Sequence, residues 1–174
     1  MQDDIADAAR WAIKPGDADA QRVCIAGASD GGYAAPMGLV RDADLYRCGV
    51  AWAAVTDLWL MYDIDYSDLP DFYRLHGMPK LIGDRERDAE RLAATSPLAQ
   101  AARITRPLLL VHGGEDRRVP MVHATRLRDA LTAAQRPPEW HGYGNEGHGF
   151  YNPDNRTDFM QRFERFLARQ IGPR

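Results

Sequence analysis

Four short apolar runs alternate with longer segments of helical character, and this alternation limits the possible folds more than any other feature of the chain. The runs are continuously apolar, as is typical of strands that are covered on both faces. They are "RVCIAG" at 22–27, "RCGVAWAAV" at 47–55, "RPLLLVHG" at 106–113 and "PEWHGYG" at 138–144. The intervening segments predict helices at 3–13, 31–42, 121–134 and 155–171. The pattern therefore predicts an α/β fold, with a mostly parallel sheet flanked by helices.

Local signals refine this prediction. Pro36 should lie near the first turn of its helix, and Asn155 is a plausible N-cap of the last helix. The segment 58–93 is aromatic and acidic and contains prolines, so we expect short helices inserted over one end of the sheet. The 174 residues suit a single domain.

Charge and composition exclude several functional classes. The net charge is −3 and basic residues are interspersed with acidic ones, so we expect neither a nucleic-acid partner nor a membrane partner. No apolar run approaches the roughly 18 residues of a membrane span, and the acidic start does not resemble a signal peptide. The sequence leaves the cellular compartment open. Cys24 and Cys48 lie in apolar runs and are predicted to be buried small hydrophobic residues, because a disulfide framework needs more cysteines.

The residues after the strands carry the chemistry, because ligands of parallel sheets bind at the carboxyl ends of the strands. "GASDG" after the first run matches G-x-S-x-G between a strand and a helix. Glycines permit a sharp turn there, so Ser29 would project above the sheet as a nucleophile. The amide of Asp30 would face the same space and help to hold an oxyanion.

An acid and a histidine follow the later strands. Asp116 lies in the loop after the third run, beside the competing Glu115, and could instead be a turn residue. His148 lies between glycines after the fourth run, whereas the remaining histidines are interpreted as structural or exposed. The order Ser29, Asp116, His148 is that of α/β-hydrolase triads, with His148 as base and Asp116 fixing its tautomer. No cofactor and no metal ion are expected.

The motifs "GASDGGYAA", "CGVAWAAVTDLWLMYD", "SPLAQAARITRPLLLVHGGEDRRVP" and "EGHGF" resemble the catalytic domain of prolyl oligopeptidase family serine peptidases. Within this family, the motifs are most similar in character to the branch that contains the acylaminoacyl- and dipeptidyl-peptidases. This resemblance implies cleavage of short peptides through an acyl-enzyme. It also implies a substrate pocket that includes Tyr33, Val55, Leu58 and Tyr62, although these could equally be ordinary core residues.

The sequence departs from the family pattern in two ways. Asp30 follows the nucleophile where the family usually has an aromatic residue, histidine or asparagine, and its carboxylate would lie near developing negative charge. The chain also matches only the C-terminal half of the family's sheet, so residues 1–174 are expected to form a partial catalytic domain. The strand at 22–27 would then be an exposed edge, and we expect self-association through it. A carboxylesterase on the same fold and a catalytically inactive truncated fragment remain the alternatives.

Overall fold

The computed structural model describes residues 1–63 and 68–173. The main helices and strands are α1 (Gln2–Ile13), β1 (Cys24–Ala28), α2 (Asp30–Arg41), β2 (Cys48–Trp52), β3 (Leu108–Gly113), α6 (Val122–Ala133), β4 (Glu139–Tyr143) and α7 (Pro153–Ile171). Between β2 and β3 lie the short helices α3 (Leu60–Asp63), α4 (Met78–Leu81) and α5 (Ala89–Ala94). A π-helical turn (Tyr73–Gly77) and a 3-10 turn (Ala101–Arg103) complete this region. Residues 64–67 of the predicted insertion at 58–93 lie outside the described residues.

The four strands form one sheet in the order β1-β2-β3-β4, and every neighbouring pair is parallel. This confirms the predicted fold class of a parallel sheet flanked by helices. All six residues of β3 are buried, because β3 has a strand on each side and helices on each face. The carboxyl ends of all four strands therefore lie along one edge, where the loops that follow them meet.

Two apolar layers hold the sheet between its helices. On one face, Leu39 of α2 and Leu127 of α6 pack against strand residues that include Ala51 and Leu110. On the other face, Phe159 and Phe166 of α7 pack with the alternate strand residues, which include Val50 and Val111. Each buried leucine, valine or phenylalanine side chain contributes about 1.5–3 kcal/mol. Burial on both faces explains why β2 and β3 are apolar throughout, whereas β1 and β4 at the two ends of the described sheet are mostly half-buried.

The predicted state of the two cysteines is wrong. Cys24 and Cys48 form a disulfide, and they are directly opposite each other in the pairing of β1 with β2. Cys48 is fully buried, as predicted, but it is covalently linked rather than a free thiol. The bridge depends on the register of two strands separated by a helix, which the spacing of the cysteines in the sequence does not reveal.

Two helix boundaries also differ from prediction. Because α2 begins at Asp30, directly after the turn at Ser29, Pro36 lies in the interior of the helix rather than in its first turn. Helix α7 begins earlier than predicted, and its N-cap is Asn152, whose side chain accepts a hydrogen bond from the Asp154 N–H. Asn155 lies inside this helix and has another role, described below. Nowhere in the described residues is a helix both long and apolar enough to cross a membrane.

Candidate active site

Ser29 occupies the turn between β1 and α2. Its backbone is in an uncommon region, with φ 55° and ψ −115°, and its N–H donates to the Trp52 carbonyl at 3.1 Å. A Cβ at Gly27 would lie 2.5 Å from the backbone carbon of Gly31, so only glycine fits this tight turn. The strained turn leaves the Ser29 hydroxyl at the carboxyl edge of the sheet.

Asp116 follows β3 and is almost fully buried. One carboxylate oxygen, Oδ1, accepts hydrogen bonds from the N–H groups of Arg118 and Val119, both at 2.9 Å. The other oxygen, Oδ2, lies 3.5 Å from Nε2 of His112, a buried side chain that donates to the Val119 carbonyl at 2.7 Å. Burial alone would raise the pKa of Asp116, but hydrogen bonds, among them those from His112, Val119 and His148, outweigh burial and lower the pKa. Asp116 is therefore a carboxylate at neutral pH.

His148 lies between Asp116 and Ser29. Its Nδ1 is 2.8 Å from Asp116 Oδ2, and its Nε2 is 2.9 Å from Ser29 Oγ. An ionised carboxylate can only accept, so Nδ1 carries the proton in neutral His148 and donates to Asp116. Nε2 is then free to accept the proton of the Ser29 hydroxyl. The three residues predicted from the sequence are thus brought into one chain of hydrogen bonds.

Glu146 anchors the loop that carries His148, and sequence reasoning did not single it out. Its side chain is buried; Oε2 accepts from the Tyr151 N–H at 2.8 Å, and Oε1 accepts from the Asn152 N–H at 3.0 Å. Oε1 also accepts from Asn155 Nδ2 at 2.8 Å. Burial would raise the pKa of Glu146, but these hydrogen bonds outweigh burial and lower the pKa. The available signal was an acid in a glycine-rich loop just before a helix.

The loops after β3 and β4 are also in direct contact. The Gly114 N–H donates to the Tyr143 carbonyl at 2.7 Å, and the Glu115 N–H donates to the Glu146 carbonyl at 2.8 Å. A Cβ at Gly113 would lie 2.2 Å from the Gly147 carbonyl oxygen, so the last residue of β3 supports the backbone beside His148. The positions of Asp116 and His148 are therefore coupled through backbone contacts.

A cavity of about 650 Å³ opens beside Ser29 and His148. Val55 and Leu58, both predicted as pocket residues, line it. Its other lining residues are mostly apolar; they are Met61, Leu69, Tyr73, Met78, Leu81, Ile82, Val119 and Tyr151, with Asp30, Asp68 and Arg118 as the charged members. The cavity can accommodate an apolar side chain next to the nucleophile.

The other two predicted pocket residues are not among the described residues that line this cavity. The Tyr33 hydroxyl donates to the Thr95 carbonyl at 2.9 Å, and the Tyr62 hydroxyl donates to the Gly83 carbonyl. These hydrogen bonds direct the two hydroxyls to neighbouring backbone instead. Burial raises the pKa of Tyr33 and of Tyr62, so both stay neutral.

Asp30 lies on the cavity wall directly after the nucleophile. It is the first residue of α2, so its backbone N–H has no acceptor within the helix and is available beside Ser29. This is the amide that the sequence predicts as an oxyanion donor. The Asp30 side chain is exposed and also lines the cavity.

His123 is a buried histidine that is not part of the hydrogen-bonded series of Ser29, His148 and Asp116. Burial, followed by the proximity of His112, lowers the pKa of His123 to about 3, and its Nδ1 accepts from the Thr56 N–H at 3.3 Å. Across residues 1–63 and 68–173, no three side chains of the types His, Cys, Asp and Glu are grouped so that they could hold a metal ion.

Comparison with known proteins identifies relatives for the whole chain. The prolyl oligopeptidase family matches residues 1–174. Dipeptidyl aminopeptidase BIII of Pseudoxanthomonas mexicana is 34% identical over 178 residues, which cover 100% of this chain and 25% of that protein. Dipeptidyl peptidase family member 6 of Caenorhabditis elegans is 28% identical, with 99% of this chain and 23% of that protein covered.

Solved structures agree with this match. The crystal structure of puromycin hydrolase superimposes with a TM-score of 0.89 at 30% identity and covers 99% of this chain and 25% of that one. The uncomplexed acylaminoacyl peptidase of Pyrococcus horikoshii gives 0.81 at 26% identity and covers 97% of this chain and 27% of that one. The chain thus spans about a quarter of the length of the relatives it matches.

Proposed function

This chain belongs to the prolyl oligopeptidase family, and from that premise we propose that it carries the catalytic triad of a serine peptidase that cleaves peptides through an acyl-enzyme. The observation that carries this proposal is the hydrogen-bonded series from Ser29 Oγ through His148 to Asp116, at 2.9 and 2.8 Å. The related dipeptidyl aminopeptidase and acylaminoacyl peptidase support a peptide as the substrate.

The proposed reaction begins when Ser29 Oγ attacks the scissile carbonyl carbon and His148 Nε2 takes the hydroxyl proton. Asp116 accepts from Nδ1 and stabilises the imidazolium that forms. The carbonyl oxygen becomes an oxyanion, which the Asp30 N–H helps to hold. The tetrahedral intermediate expels the amine, which takes the proton from His148, and an ester remains on Ser29. Water, deprotonated by His148, then attacks this ester; the bond from the acyl carbon to Ser29 Oγ breaks, Oγ takes the proton back from His148, and the carboxylic acid product leaves.

We also propose that residues 1–174 form part of one α/β-hydrolase catalytic domain, with 58–93 as its helical insertion. The fractional coverage of the relatives and the position of β1 at the end of the described sheet support this. In the described sheet β1 pairs with β2 alone, so we propose that its other edge pairs with a second copy of the chain. Light scattering at micromolar concentration tests that association, and a clean monomer contradicts it.

The test of the catalytic proposal is reaction of the purified protein with a fluorophosphonate, which phosphonylates an activated serine. We expect labelling of the native protein and none of Ser29→Ala. His148→Gln should react slowly, whereas His76→Gln, an exposed residue that does not line the cavity, is the matched control and should react normally. Normal labelling of Ser29→Ala contradicts the proposed nucleophile.

Substrate assays then separate the peptidase from its alternatives. Hydrolysis of aminoacyl p-nitroanilides that depends on Ser29 supports the peptidase. Hydrolysis of p-nitrophenyl esters alone supports the carboxylesterase. A folded protein that neither reacts with the fluorophosphonate nor hydrolyses either substrate class is the inactive alternative.

A further inference from the structure

The Asp30 carboxylate is an unpaired charge on the wall of the cavity. It is exposed and lines the cavity with Ser29 and His148, and within the described residues it has neither a hydrogen-bond partner nor an ion-pair partner. The two other charged lining residues neutralise each other, because Arg118 Nε lies 2.7 Å from Asp68 Oδ1. Among the described lining residues, the charge of Asp30 is therefore not balanced, and it makes the cavity negative.

This charge is unfavourable for the proposed reaction taken alone. An oxyanion forms on the substrate beside the Asp30 N–H, so the neighbouring carboxylate repels the developing charge. A negative charge near the N-terminus stabilises a helix, but this stabilisation does not require the charged side chain to line a cavity. Asp154, in the first turn of α7, has this benefit, is not among the residues that line the cavity, and likewise has no side-chain partner in the described part of the chain.

The distance to the substrate is short. Adjacent Cα atoms are about 3.8 Å apart, so the Asp30 carboxylate and an acyl carbon on Ser29 are at most about 10 Å apart, and both residues line the same cavity. The α-nitrogen of the acyl residue is two bonds from the acyl carbon. The terminal nitrogen of a lysine or arginine side chain in the cavity can also reach the wall, with its methylene stem against Val55 and Leu58.

We infer that the Asp30 carboxylate binds a positively charged group of the substrate residue whose carbonyl is attacked. This inference rests on the proposed function and specifies its substrate class. The cation can be the α-ammonium of an unblocked terminal residue or the side-chain cation of lysine or arginine. In either case the substrate neutralises Asp30 and removes its repulsion of the oxyanion.

Three diphenyl α-aminoalkylphosphonates test the inference and distinguish the two sources. In each reaction Ser29 Oγ bonds to phosphorus, phenoxide leaves and His148 takes the serine proton. The N-acetylated norleucine analogue is neutral, the N-acetylated lysine analogue adds only a side-chain cation, and the norleucine analogue with a free amine adds only an α-ammonium. We expect one cationic probe to react about three- to tenfold faster than the neutral probe.

Two variants test whether the faster reaction of a cationic probe depends on the Asp30 carboxylate. In Asp30→Asn the ratio of cationic to neutral rates should fall towards one, whereas Asp154→Asn should keep the native ratio. Equal rates for all three probes in the native protein overturn the inference, as does an Asp30→Asn variant that changes all three rates by the same factor. Reaction with a fluorophosphonate but with none of the three probes overturns the inference alone. No reaction of Ser29 with any reagent overturns the proposed function and the inference together.

Discussion

Gly113→Ala should disable the site through a single methyl group that touches none of the three triad residues. The new Cβ would lie 2.2 Å from the Gly147 carbonyl oxygen and 2.4 Å from that of Glu146. An ordinary contact requires about 1 Å more separation. Strand β3 cannot supply this movement, because it is buried and pairs with β2 and β4 on its two sides. The loop that carries His148 must therefore move away.

A movement of this size breaks the hydrogen bonds that define the site. His148 is 2.9 Å from Ser29 Oγ and 2.8 Å from Asp116 Oδ2, so an added 1 Å takes both distances beyond hydrogen-bond range. Misplacement by about 1 Å costs roughly 10²-fold in rate. We therefore expect the second-order rate of fluorophosphonate reaction at Ser29 to fall by about that factor. Measuring this rate requires no knowledge of the natural substrate.

Gly147→Ala is the matched control. It adds the same methyl group to the residue next to His148, but the nearest atom to its Cβ is 4.0 Å away. Its reaction rate should stay within about threefold of the native rate. Urea unfolding of both variants checks that the folded state persists. If Gly113→Ala reacts at the native rate, or if both variants lose the same activity, the backbone contact does not position the base.

Three further predictions concern other parts of the molecule. Glu146→Gln removes the charge that anchors the histidine loop and should slow Ser29 labelling about tenfold, since a charged hydrogen bond contributes roughly 1.5–3 kcal/mol; exposed Glu115→Gln should have little effect. His123 stays neutral when folded, because burial lowers its pKa to about 3 from 6.5. Between pH 6.5 and 5 the unfolded chain therefore binds the extra proton, and the unfolding free energy should fall by about 2 kcal/mol, less in His123→Asn. Replacing Cys24 and Cys48 together by alanine should lower that free energy by about 3 kcal/mol at pH 7, as urea unfolding will measure.

The sequence predicted the fold class because the two central strands, β2 and β3, are buried on both faces and so are apolar throughout, and because the other two runs repeat the same alternation with helices. It also brought Ser29, Asp116 and His148 into one hypothesis, because parallel strands present their following loops at one edge. Glu146 was missed because it accepts hydrogen bonds from the backbone N–H groups of Tyr151 and Asn152. Almost every residue has such a group, so the sequence does not indicate which ones Glu146 contacts. Side-chain contacts to backbone atoms can be identified only when the conformation of the loop is known.

The failed predictions for the cysteines and for the N-cap of α7, and the position of Tyr33 away from the cavity, share a physical cause. The cysteine pair depends on strand register, since Cys24 and Cys48 meet only because their positions are opposed in neighbouring strands. The direction of the Tyr33 side chain depends on a distant carbonyl, that of Thr95, 62 residues along the chain. Asn155 was predicted as the N-cap of α7, but the N-cap is Asn152, which accepts from the Asp154 N–H. Asn155 instead donates a hydrogen bond to Glu146. Each outcome depends on where separate segments meet.

The order of the strands has a mechanical consequence for the chemistry. Ser29 follows β1 and His148 follows β4, which stand at opposite ends of the described sheet. Three strand spacings amount to about 14 Å, and right-handed twist accumulates to roughly 60–75° over them. The loops after β1 and β4 together span this width, since Nε2 lies 2.9 Å from Oγ. The distance between Ser29 and His148 therefore depends on the twist of the whole sheet, and we expect a substitution that changes this twist to alter proton transfer even when it touches none of the reacting groups.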